Sequence, residues 1–89
     1  MNYSVYILEC KTSSGRITVH VGVAIDPHKR LLDHKSGKVK ATRGRSIQLL
    51  GYTEAMPIGE ALSAEACLKK LPANKKRAWI EKNKKAGKI

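Results

Sequence analysis

Five side chains of this sequence carry groups suited to acid–base and metal-assisted chemistry. Tyr6 offers a phenol, His20 an imidazole and Arg30 a permanently charged guanidinium. His34 follows Arg30 by four residues, so the cation and a second imidazole share one face of a helix. Glu65 offers a carboxylate, a hard oxygen ligand of the kind that Mg²⁺ accepts. Together they supply what a hydrolysis needs: a base for water, a cation for developing negative charge, and a metal ligand.

The charge of the chain indicates what these groups would act on. Its 89 residues include 18 Lys+Arg against 7 Asp+Glu, a formal net charge of +11. So much positive charge on one small domain favours an anionic partner, most often nucleic acid. On charge alone, a basic protein without a special partner and a ribosome- or partner-associated protein stay open.

Other features of the sequence bear on where the protein works. Cys10 and Cys67 show no metal-type spacing, no apolar run is long enough to span a bilayer, and the N-terminus shows no secretory pattern. We therefore expect a cytoplasmic protein with reduced thiols and no membrane partner.

The first two elements that would position the site form a predicted β-hairpin. Residues 5–8 are a short β-type run, residues 12–15 have turn chemistry, and residues 17–24 alternate between aliphatic and other side chains. This alternation places His20 and Gly22 on the non-aliphatic face. A glycine there leaves room for another group to approach the backbone.

A helix and a basic loop follow. Asp26 as N-cap and Pro27 as first helical residue predict a helix over 27–35, which ends at 36–37. We expect residues 35–45 to form a flexible basic loop, because this stretch contains no acidic residue. Its predicted nucleic-acid-binding side chains are Lys35, Lys38, Lys40, Arg43 and Arg45.

The second half of the sequence predicts one strand and two helices. The strand covers 47–52, a helix runs from 57 to about 71, and a third helix starts at Pro72. Glu65 borders the apolar stripe of the first of these helices, an unusual place for a carboxylate. The stripe consists of Ala61, Ala64, Leu68 and Leu71.

Each candidate has a simpler interpretation. Tyr6 fits a half-buried strand tyrosine and His20 a surface histidine, while Arg30 and His34 fit a solvated helix face. Glu65 has a potential ion-pair partner four residues later, Lys69, and the basic loop could serve solubility alone. Their joint occurrence favours a single site.

The order and spacing of these residues resemble the GIY-YIG nuclease superfamily, especially its small single-domain bacterial branch. The first family motif maps to Val5-Tyr6-Ile7 and the second to His20-Val21-Gly22, with His20 where the family has a tyrosine. The family's catalytic arginine, histidine and metal-binding glutamate map to Arg30, His34 and Glu65. Its late asparagine is matched only by type, at Asn74 or Asn83.

The resemblance implies an α+β fold, with a three-stranded antiparallel sheet flanked by helices in the order β-β-α-β-α-α. One domain would cover 1–85 and a frayed basic tail 86–89. The implied activity is metal-dependent endonucleolytic hydrolysis of DNA, structure-selective or nonspecific, with RNA not excluded. The alternative is a catalytically degenerate nucleic-acid-binding module of the same fold, in which His20 marks a lost site.

The resemblance also implies a role for each site residue. Glu65 would hold Mg²⁺ or Mn²⁺, and Arg30 would stabilise the transition state. His34 would contact the phosphate or the leaving group. Tyr6 would orient a water molecule, and His20 would deprotonate it.

Overall fold

The structure of the protein is a computed structural model that describes residues 1–85, apart from the side chain of Ala41. The predicted frayed tail, 86–89, lies outside the described residues. The elements in chain order are β1 (Asn2–Lys11), β2 (Ile17–Ala24), α1 (Pro27–Lys35), a 3₁₀ turn (Lys40–Thr42), β3 (Ser46–Tyr52), β4 (Met56–Pro57), α2 (Ile58–Lys69) and α3 (Ala73–Asn83).

The antiparallel sheet has the order β2-β1-β3, with β1 in the centre. The predicted α+β fold and its element order are confirmed, with one addition. The two-residue strand β4 pairs with the start of β1 and makes the sheet four-stranded. It escaped prediction because two residues are too few to show any periodicity.

The central strand has a different core on each face. Val5 and Ile7 point toward α2 and α3, where they pack with Ala61, Leu68 and Ile80. The alternate residues of β1, among them Tyr6 and Leu8, point the other way and pack with Leu31 of α1. The period-2 alternation of a strand therefore places the Tyr6 side chain between the sheet and α1.

Local chemistry explains the two ends of α1. The carboxylate of Asp26 accepts hydrogen bonds from the backbone N–H groups of His28 and Lys29, at 3.1 and 3.2 Å. Pro27 occupies the first helical position, where no intrahelical donor is needed. The chain leaves the helix at Gly37, whose φ of +83° is open to glycine at little cost. The bounds predicted for this helix are confirmed.

Helix α3 is tied to the sheet by a charged contact. The guanidinium of Arg77 donates to the carboxylate of Glu9 on β1 at 2.9 Å. None of the helices in residues 1–85 is long and apolar enough to cross a membrane.

Candidate active site

The site is built around a buried hydrogen bond between β1 and α1. Tyr6 is 3 % exposed and His34 is 2 % exposed. The Tyr6 hydroxyl lies 3.0 Å from Nε2 of His34, and the two rings meet edge to face. Burial raises the pKa of the Tyr6 phenol, while the nearby guanidinium of Arg30 opposes that shift. The phenol therefore stays protonated around neutral pH.

Gly22 makes room for the ring of Tyr6. The two residues face each other across the β1–β2 ladder. A Cβ atom at position 22 would overlap the ring and the hydroxyl of Tyr6. The space that the sequence predicted beside the backbone is thus filled by the protein's own phenol.

Arg30 lies on the same face of α1 as His34, but its side chain reaches solvent. Its side chain is 44 % exposed and forms a loose pair with Asp33, at 3.8 Å. Exposed ion pairs of this kind are worth little, so the guanidinium remains available to an anion. Arg30 thus offers positive charge beside the Tyr6 hydroxyl.

His20 lies on the edge strand β2, and its ring meets that of His34 edge to face at 5.8 Å between centroids. Burial lowers the pKa of His20, and the positive charges of Lys69 and Arg45 lower it further, against the opposing charge of Glu65. Within residues 1–85 its ring makes no hydrogen bond. It is therefore a neutral imidazole with free nitrogens near neutral pH.

Glu65 reaches the site from α2. Its side chain is 21 % exposed, and one carboxylate oxygen lies 3.6 Å from Nζ of Lys69. The ion pair considered from the sequence is therefore present. The negative charge of Glu65 also acts on both Tyr6 and His20. In the part of the chain that the structure describes, no three His, Cys, Asp or Glu side chains cluster as metal ligands.

One site residue, Thr42, was missed by the sequence analysis. It is 1 % exposed, although it lies in the predicted flexible loop. Its hydroxyl oxygen is 2.8 Å from Nδ1 of His34. This stretch is less irregular than predicted, because residues 40–42 form a 3₁₀ turn. The sequence offered no signal beyond a threonine between basic residues.

The basic loop presents its charges to solvent. Arg43 donates to the carbonyl of Gly37 at 2.9 Å, which ties the loop to the end of α1. Arg45 donates to the hydroxyl of Thr18 on β2 at 3.3 Å, close to the strand that carries His20. All five cations predicted to bind nucleic acid are exposed, namely Lys35, Lys38, Lys40, Arg43 and Arg45.

The predicted catalytic and metal-binding residues come from four elements: Tyr6 from β1, His20 from β2, Arg30 and His34 from α1, and Glu65 from α2. Direct contacts join Tyr6 and His20 to His34. The charges of Arg30 and Glu65 act on the Tyr6 phenol. The asparagine candidates do not join them in any described contact. Asn83 donates to the carbonyl of Trp79 within α3, at 2.8 Å.

Comparison with known proteins agrees with this geometry. The family described as the GIY-YIG catalytic domain matches residues 2–85. A UPF0213 protein of Halalkalibacterium halodurans is 42% identical over 82 residues, which is 90% of this chain and 83% of that protein. A UPF0213 protein of Cupriavidus necator is 38% identical, over 83% of this chain and 78% of that protein. A UPF0213 protein of Streptococcus pneumoniae is 36% identical, over 88% of this chain and 77% of that protein. No solved structure gives a significant match.

Proposed function

This chain belongs to the GIY-YIG nuclease family, and we propose that it is a divalent-metal-dependent endonuclease that hydrolyses phosphodiester bonds in DNA. The observation that carries the proposal is the convergence of a base, a phenol, a cation and a carboxylate from four separate elements. Side chains that served only packing or solubility would not require His20, Tyr6, Arg30 and Glu65 to lie near one another. The exposed cations beside them suit a polyanionic substrate.

Glu65 is the proposed metal ligand, and its surroundings fit one hard cation. It is a carboxylate with partial access to solvent, and its partner Lys69 is exposed and free to move aside. Mg²⁺ commonly keeps several waters and takes only one or two carboxylates, so one protein ligand is enough. When bound, the ion would supply charge stabilisation at the leaving 3′-oxygen.

His20 is the better candidate for the base. A general base needs a free lone pair and a pKa near or below the working pH. The phenol of Tyr6 has a raised pKa, and its hydroxyl is engaged by His34. The imidazole of His20 has a lowered pKa and no intramolecular hydrogen bond among residues 1–85. We therefore assign proton abstraction from the attacking water to His20, and orientation of that water to Tyr6.

Arg30 is proposed to stabilise negative charge on the phosphoryl oxygens in the transition state. His34 receives a different role from the phosphate contact expected from the sequence. Both of its ring nitrogens are hydrogen-bonded inside the protein, to Tyr6 and to Thr42, so neither nitrogen is left for the substrate. His34 therefore positions the Tyr6 hydroxyl and does not face the substrate.

The basic loop is proposed to hold the phosphate backbone without reading bases. Base readout needs a helix or strand that enters a groove, whereas the loop presents exposed cations around one short 3₁₀ turn. Cleavage should accordingly be structure-selective or nonspecific.

The second candidate function is a nucleic-acid-binding module that does not cut. The ion pair between Glu65 and Lys69 favours it, because an occupied carboxylate is a poorer metal ligand. Purified protein with labelled single-stranded, duplex and branched DNA, and matching RNA, in Mg²⁺, Mn²⁺ or EDTA separates the two. Metal-dependent cleavage supports the enzyme, whereas binding without cleavage of any substrate supports the module.

A further inference from the structure

A single buried hydroxyl connects the basic loop to the interior of the site. Thr42 is 1 % exposed, while its neighbours Lys40 and Arg43 are exposed. Besides its 2.8 Å contact with Nδ1 of His34, its hydroxyl lies 3.4 Å from the carbonyl oxygen of Val39. The backbone N–H of Thr42 donates to that same carbonyl at 3.2 Å, which fixes the turn around the hydroxyl.

Two proton arrangements fit these contacts, because the Thr42 hydroxyl can donate either to Nδ1 of His34 or to the carbonyl of Val39. A threonine hydroxyl has one proton to donate, and a carbonyl oxygen can only accept. When Thr42 donates to Val39, its oxygen must accept from His34, so Nδ1 of His34 carries the proton. The other nitrogen, Nε2, then has a lone pair and accepts from the Tyr6 hydroxyl, 3.0 Å away. The Tyr6 oxygen then keeps its own lone pairs, beside the guanidinium of Arg30.

We propose that Thr42 is a positioning residue that holds His34 in the Nδ1–H tautomer and thereby fixes the Tyr6 hydroxyl as a donor to His34. The catalytic part of this proposal rests on the proposed nuclease function, but the tautomer itself does not. Because Thr42 belongs to the basic loop, the segment that would bind the phosphate backbone also sets the hydrogen bond between Tyr6 and His34.

Removal of the hydroxyl changes what His34 can do. In Thr42→Val, a proton on Nδ1 would face a methyl group, and an unpaired buried donor is costly. The ring should therefore switch to the Nε2–H tautomer, which donates to the Tyr6 oxygen and reverses that hydrogen bond. One lone pair of the Tyr6 oxygen then accepts from His34 and is no longer available to the attacking water.

The test combines imidazole ¹⁵N NMR of the protein without substrate and kinetics on a cleaved DNA. The chain has only three histidines, so the His34 signals can be assigned by substitution. We expect the Nδ1–H tautomer in the natural protein and in Thr42→Ser, and the Nε2–H tautomer in Thr42→Val. Loss of an outer partner that orients a metal-ligating side chain costs roughly 10- to 100-fold in activity, and we take the same size of effect for the partner of His34. We expect that loss in turnover, with an unchanged KM, for Thr42→Val, and recovery in Thr42→Ser.

Thr53 provides the matched control. It is 4 % exposed, and its hydroxyl also accepts from one group, the N–H of Val5, and donates to a carbonyl, that of Glu54. Thr53→Val should lose stability as Thr42→Val does, but keep the His34 tautomer and the turnover per folded molecule.

Two NMR results would overturn the proposal: the Nε2–H tautomer in the natural protein, or the Nδ1–H tautomer retained in Thr42→Val. The first is readable even if Thr42→Val does not fold. Equal turnover in Thr42→Val and Thr53→Val would also contradict it. If the natural protein cleaves nothing, the nuclease proposal fails, and the NMR result still decides the role of Thr42.

Discussion

A methyl group at position 22 should displace the buried side chain of Tyr6 and thereby disrupt the site. In Gly22→Ala the new Cβ would overlap the ring and hydroxyl of Tyr6, a buried side chain that must then move. The backbone at position 22 has no positive φ, so conformational strain makes no contribution. The loss of stability in this variant therefore measures the free energy of packing of the Tyr6 side chain against position 22.

The expected cost has three parts. Overpacking of a filled space costs about 1–3 kcal/mol. Displacement of the Tyr6 hydroxyl leaves Nε2 of His34 without a partner, which costs about 1–3 kcal/mol more. The better strand propensity of alanine offsets about 0.5–1 kcal/mol. A net loss of about 3 kcal/mol would lower the Tm by roughly 12–24 °C in a domain of this size.

Thermal and urea unfolding measure this change, and Gly59→Ala is the control. Position 59 has open space around its Cβ direction and is the second residue of α2, so alanine there should stabilise the helix by at most about 0.5–1 kcal/mol, the value for a helix interior. Turnover should fall in Gly22→Ala and stay unchanged in Gly59→Ala. If Gly22→Ala has the same Tm and the same turnover as the natural protein, the packing of Tyr6 against Gly22 does not determine the stability or the activity of the site.

Three further predictions concern the roles of individual groups. Arg30→Ala should lower turnover by roughly 10²–10³-fold; weaker binding with unchanged turnover at saturation would make Arg30 a docking residue. Because the pKa of His20 is lowered and the base acts in its neutral form, activity should rise with pH below ~6.5 and level off above it. His20→Ala should remove this rise and His20→Tyr should shift it to higher pH; an unchanged pH–rate profile in His20→Ala would exclude this role. DNA affinity should fall steeply with salt, and charge reversal in the basic loop should weaken binding similarly for all sequences; a salt-insensitive interaction would refute backbone binding. The residues to reverse are Lys38, Lys40, Arg43 and Arg45.

Regular elements were predictable because their signals are local and periodic. The alternation over residues 17–24 predicted which side chains of β2 face each way, and Val21 is indeed in the core opposite α2. Strand β1 runs longer than the predicted 5–8, since backbone pairing with β2 and β3 continues through polar residues such as Glu9. Hydrophobicity alone does not report that pairing.

The sequence predicted which residues to propose for the site, but not the hydrogen bonds that connect them. Spacing placed Arg30 and His34 on one helix face, yet it could not reveal that one is exposed and the other buried. The role of His34 depends on Tyr6 and Thr42, which reach it from a strand and from an irregular turn. Hydrogen bonds of this kind depend on tertiary packing and leave no periodic trace in the sequence.

The most direct test of the account is metal-dependent cleavage by Glu65→Gln, with Glu60→Gln as the control. Both carboxylates belong to α2, but Glu60 lies exposed in its first turn and forms no salt bridge among residues 1–85. Over a titration of Mg²⁺ or Mn²⁺, Glu65→Gln should lose cleavage while it still binds DNA, and Glu60→Gln should cleave like the natural protein. Undiminished cleavage by Glu65→Gln, or full activity of the natural protein in EDTA, would contradict the assignment of a metal-dependent nuclease centred on Glu65.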